Sequence, residues 1–110
     1  MLASSFTVVN AKEKVDPVGT WSYIAADAPY EYSTGDIVVS KVDGKHKVEI
    51  KLGEYYKIKG NSVEYQDNVL SFKVYIEGES VSIKATMDKE EFEGTASYSD
   101  GTIPVTGKKK

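Results

Sequence analysis

The sequence predicts an all-β domain, an antiparallel up-and-down meander of about eight strands closing into a small barrel. Three observations carry that expectation. From Val18 onward nearly every stretch alternates apolar with polar residues, the period of a strand with one buried and one wet face. Turn dipeptides that supply positive φ angles, Asp43-Gly44 and Asp100-Gly101 among them, separate these stretches. Helical spacing hardly occurs.

The elements follow in order. Gly19, Trp21 and Tyr23 share one face of the first strand, against Thr20 and Ser22. Asp36 to Val42 forms the second strand, where the continuous run Ile37-Val38-Val39 leaves the inward face open. After Asp43-Gly44, His46, Val48, Ile50 and Leu52 alternate with Lys47, Glu49 and Lys51. Gly53 turns the chain, Tyr56 and Ile58 share a face, Gly60-Asn61 turns it again, and Val63 and Tyr65 share the next face. Leu70, Phe72, Val74 and Ile76 then alternate with polar neighbours, as do Val81, Ile83, Ala85 and Met87. Phe92, Gly94, Ala96 and Tyr98 form the next inward set, and Ile103, Val105 and Gly107 the last. Tight hairpins joining successive strands build a meander, and such a sheet removes its open edges most simply by closing on itself. The exception is residues 26–35, a longer connection carrying Pro29, Tyr30 and Tyr32, which should lie across one open end.

Composition narrows the function. The chain has 110 residues, 40% hydrophobic and 28% charged, which suits one folded domain and disfavours a membrane span. Its 14 basic residues are all lysine, and arginine is the residue that reads base edges and clamps phosphates, so nucleic acid is not an expected partner. Without cysteine there is no disulfide, thiolate nucleophile or cysteine-bound metal. The single histidine, His46, sits on apolar parity beside a turn, which fits a barrel-end side chain better than a base or ligand. Asp88, Glu90, Glu91 and Glu93 fall at a turn and on outward parity, the pattern of a solvated face; they lack the spaced ligands of a calcium loop. No enzyme activity, cofactor or metal site is expected.

The N-terminal residues 1–16 admit two readings. The apolar, small-residue run ending in Val9-Asn10-Ala11 before Lys12-Glu13-Lys14 matches the tail of a signal peptide, and Phe6 to Val9 equally suits an extra strand. Residues 17–110 are the expected barrel domain.

Several phrases then carry a family likeness. Gly19-Thr20-Trp21 resembles the G-x-W signature of lipocalins. It is followed in order by Val42-Asp43-Gly44, by Asp67 to Phe72, by Phe92-Glu93-Gly94-Thr95-Ala96 and by Gly101 to Gly107. Together these resemble the small lipocalin-like, calycin-type barrel domains of secreted bacterial proteins. The resemblance implies a barrel with Trp21 plugging one end, a secreted or periplasmic location, and binding in place of catalysis. In that family an arginine packs on the tryptophan; this chain has none, and Lys108 to Lys110 can substitute in part.

Aromatics supply the candidate site. The eight tyrosines, three phenylalanines and one tryptophan are the enriched class. Trp21, Tyr23, Tyr56, Tyr65, Phe72, Phe92 and Tyr98 fall on inward parity and should largely fill a small barrel. Where they do not, Trp21, Tyr23, Tyr56, Tyr65 and Tyr98, with Tyr30 and Tyr32 from the long connection, are the candidate ligand-binding residues. The expected occupant is a small, partly apolar molecule at the mouth, bound by a monomer. The alternative is an accessory module holding a glycan or protein on the outer face around Tyr55 and Tyr75.

Overall fold

The computed structural model describes residues 13–110. The first twelve residues, where the signal-peptide or extra-strand reading mainly falls, lie outside the described residues; 13–18 run without strand pairing.

Nine antiparallel strands form one sheet: β1 (Gly19–Ile24), β2 (Thr34–Val42), β3 (Lys45–Leu52), β4 (Tyr56–Lys59), β5 (Asn61–Gln66), β6 (Val69–Ile76), β7 (Glu79–Asp88), β8 (Glu91–Tyr98) and β9 (Gly101–Lys109). Their order across the sheet is β4-β3-β2-β1-β9-β8-β7-β6-β5. The expected meander is therefore present, with β1 and β9 joined in the middle of the series by pairs such as Tyr23 with Gly107. The long connection contains one 3-10 turn, Tyr30–Tyr32, and β2 begins at Thr34, two residues before the expected start.

Closure rests on β4 and β5. These are two halves of one path broken at Gly60, both running away from the long connection. The first half pairs with β3 (Leu52 with Tyr56) and the second with β6 (Gln66 with Val69). One kinked run thus occupies the last stave of an eight-stave barrel and bonds to a different neighbour in each half. The kink is local: Gly60 N–H donates to Val48 O at 2.8 Å, Ser62 takes φ +53°, and the β5–β6 register shifts between Asn61 and Glu64.

The two ends differ. The turns at 43–44, 67–68 and 89–90, with residues 13–18 and the C-terminus, make a closed end. Trp21, fully buried, donates from Nε1 to Pro17 O at 2.9 Å and meets Phe92 edge-on with ring centroids 6.0 Å apart. Lys109 Nζ lies 5.6 Å from the Trp21 ring centroid, within reach of a cation–π contact. Gly19 makes this possible: its φ is +142° and an added Cβ would stand 2.8 Å from Lys109 Cε. Phe72, Leu70, Met87, Val39 and Val74 complete the fully buried set.

Asn68 ties the N-terminal segment to this end. Its Oδ1 accepts from Val15 N–H, its Nδ2 donates to Glu13 O, both at 2.9 Å, and Tyr65 OH donates to Val15 O at 2.6 Å. A side-chain amide thereby stands in for one residue of a neighbouring strand.

The Phe92 ring sets a test of this packing. A Cβ at Gly107 would lie 2.1 Å from Phe92 Cε2 and 2.7 Å from Ser22 O, so neither ring nor backbone can give way cheaply. Gly107→Ala should therefore lower stability by about 2 kcal/mol or more, read as a lower urea midpoint at unchanged slope.

Candidate functional site

The other end is a mouth. Its four connections are residues 25–33, 53–55, 77–78 and 99–100. Beneath them lies a cavity of about 180 Å³ whose wall is mainly aliphatic: Ile37, Ile50, Ile58, Ile76, Ile83 and Ile103, from six different strands, all line it. None of the fully buried side chains of the closed half reaches it. The interior is thus filled at one end and hollow at the other, because the bulky rings occupy the closed half and isoleucines, too short to meet across the barrel, ring the mouth.

The long connection forms the cover. Ala25 N–H donates to Ser33 O at 2.7 Å, Tyr32 N–H to Pro29 O at 2.9 Å, and Ser33 Oγ to Tyr30 O at 2.8 Å. From inside, Tyr23 OH donates to Tyr32 O at 2.8 Å and fastens the cover to β1. Ala28, Pro29 and Tyr32 face the cavity. Burial pushes the Tyr23 phenol up to about 12. Partial burial, then the Glu77 carboxylate and Tyr56, push Tyr32 up as well.

The polar part of the wall comes from turns. Glu77, at φ +52° in the β6–β7 hairpin, and Glu79, which opens β7, both line the cavity with Tyr23, Tyr32 and Tyr98. Glu79 Oε2 accepts from the Ser99 N–H at 3.0 Å and from its hydroxyl, which holds the β6–β7 and β8–β9 ends of the rim together.

The seven candidate tyrosine and tryptophan residues separate along the barrel axis. Tyr23, Tyr32 and Tyr98 line the cavity. Tyr56 lies beside Tyr32 at the rim, half exposed. Tyr30 points to solvent, 92% exposed, because the 3-10 turn that brings Tyr32 inward sends its neighbour two residues earlier outward. Trp21 and Tyr65 stand at the closed end, Tyr65 against His46 with ring centroids 5.4 Å apart. His46 is therefore remote from the cavity. Among the described residues no three histidine or carboxylate side chains converge on a metal position, and no helix is long and apolar enough to cross a membrane.

The isoleucines and the two glutamates were missed by reasoning that followed aromatics. Their signal was positional: each isoleucine is on inward parity in the mouth half of its strand, and Glu77 and Glu79 flank a hairpin glycine that opens at the same end.

No protein-family model and no curated protein matches the chain. Among solved structures the fold is similar to a redesigned β-barrel, with a TM-score of 0.56 and 17% identity over 84% of this chain and 90% of that one. It is also similar to a mutant of the fluorescent protein UnaG, with a TM-score of 0.54 and 16% identity over 86% of this chain and 96% of that one. These likenesses are of fold alone, an antiparallel β-barrel.

Tyr23 gives the cover a pH signature. Its folded value of about 12 exceeds the ordinary 10.0, so the stabilisation is complete below pH 10 and is lost as pH rises through 12. Denaturation midpoints should fall across that window in the native chain, and fall less steeply in Tyr23→Phe; identical slopes would show that this phenol is not held from water.

Proposed function

We propose that this chain is a non-catalytic, lipocalin-like binding module of a secreted or periplasmic protein that takes a small, largely apolar ligand in the mouth cavity. The observation that carries the reading is the hollow mouth half itself. Leaving a space of this size unfilled forfeits packing worth up to about 4 kcal/mol, a large share of the roughly 5–15 kcal/mol that holds a domain together. Filling it with larger inward side chains would be simple, as the closed half demonstrates with Trp21, Phe72 and Phe92. An engineered apolar void of about 150 Å³ accepts benzene, so about 180 Å³ suits one six-membered ring with a short substituent. The cover, fastened to the wall by hydrogen bonds of Tyr32 with Tyr23 and Tyr56, gives the ligand a way in.

Catalysis has less support. Of the two carboxylates at the cavity, Glu79 is engaged by Ser99, and the histidine that would most readily move a proton is at the far end. The alternative seat on the outer face draws on Tyr55 and Tyr75, which are 93% and 65% exposed.

Titration with toluene followed by backbone and methyl NMR separates these readings. Shifts should concentrate at Ala96, Ile83 and Tyr98, and Ala96→Phe, which grows a ring into the cavity, should abolish them while the far-ultraviolet spectrum stays that of the native barrel. Shifts confined to Tyr55 and Tyr75, or none at all, would sink the cavity reading.

A further inference from the structure

The charges at the mouth select among apolar ligands. The four mouth connections carry Asp27, Glu31, Glu54, Glu77 and Asp100 and no lysine, although the chain has 14 lysines. Lys51 and Lys57 pair with each other near this end on the parity opposite to Ile50 and Ile58, and so face outward. Among the described residues, the charged side chains lining the cavity are Glu77 and Glu79. We propose, resting on the cavity reading above, that the ligand is a small ammonium: one apolar ring or short chain in the isoleucine-lined cavity, with a protonated amine at the rim beside Glu77 and Glu79.

Three further features of the site suit this class. Glu79 is held in place by Ser99 through Oε2, which leaves Oε1 for an incoming donor without further ordering of the side chain. The ion pair formed among the described residues joins Lys110 to Asp36, so neither glutamate is already neutralised by a lysine. The rings of Tyr32 and Tyr98 line the same cavity, and tyrosine faces attract cations. At the rim the ammonium stays partly hydrated, which avoids the large cost of taking a charge fully out of water. A carboxylate ligand of the same shape would meet like charge on every mouth connection and find no cation in the wall.

A matched series tests the class: benzylammonium, benzyl alcohol and benzoate, titrated by calorimetry and NMR at neutral pH in low salt. The amine should bind about tenfold more tightly than the alcohol, an advantage expected of a close charge pair at a half-exposed site, and benzoate should bind weakest. Glu77→Gln combined with Glu79→Gln should erase the difference between amine and alcohol, and added salt should shrink it. Glu77→Gln alone, which removes a carboxylate with no hydrogen-bond partner among the described residues, should shrink it in a fold that is unperturbed. Equal binding of amine and alcohol, or benzoate equal to or tighter than benzylammonium, overturns the amine assignment while leaving the cavity reading standing. Amine binding that survives in Ala96→Phe would place the ion on the outer surface and also overturn it. If none of the three moves Ala96 or Ile83, the cavity reading falls and the amine assignment with it.

Discussion

Everything in this barrel depends on a strand that changes partners. A nine-stranded antiparallel sheet of this order would end in two open edges, β4 and β5, each offering unpaired backbone groups to any passing strand. Because β4 and β5 are one run of chain interrupted at Gly60, the sheet nearly closes on itself when that run bends. The bend must be tight, and Gly60 permits it. An added Cβ would stand 3.2 Å from both Phe72 Cδ2 and Val48 Cβ, so core side chains of the two flanking strands pack directly on the kink. Ser62 accepts a left-handed conformation that costs a non-glycine residue on the order of 1 kcal/mol, a strain retained because closure overdetermines it.

Closure also explains why the two ends can differ. In a barrel this narrow a few rings fill the bore, so the position of the rings along the axis decides which half is solid. Trp21, held by Pro17 and covered by Lys109, and Phe92, seated over Gly107, place them at one end. Asn68 adds a polar clamp there, binding two backbone groups of the N-terminal segment much as a strand would. The closed half then carries enough packing for the mouth half to stay hollow.

The alternation of apolar and polar residues made the strands and their order legible, because side-chain direction in a strand depends on nothing but parity. Parity says which residues face inward and nothing about depth. Tyr65 and Tyr98 were therefore indistinguishable in sequence, yet one hydrogen-bonds Val15 at the closed end and the other lines the mouth cavity. Depth becomes readable only when each residue is counted from its turn. Connections lack even parity: Tyr30 and Tyr32 look equivalent in the sequence, and the 3-10 turn separates them. Asn68 was legible as a turn residue, and its φ of +66° agrees; its clamp on Glu13 and Val15 spans more than fifty residues and leaves no local pattern.

The acidic mouth is the counterpart of the hollow one. Like charges gathered on four neighbouring connections repel, and the repulsion is kept small because these turns are exposed and screened by water and salt. Had the same carboxylates been placed on inward parity, desolvation would have neutralised them or unfolded the mouth. Placed at the rim, they tax the fold little. Stability is thus drawn from the closed end, where rings, a glycine and a lysine fit one another closely, and the mouth is left with the two properties that packing would have removed, space and an unbalanced charge.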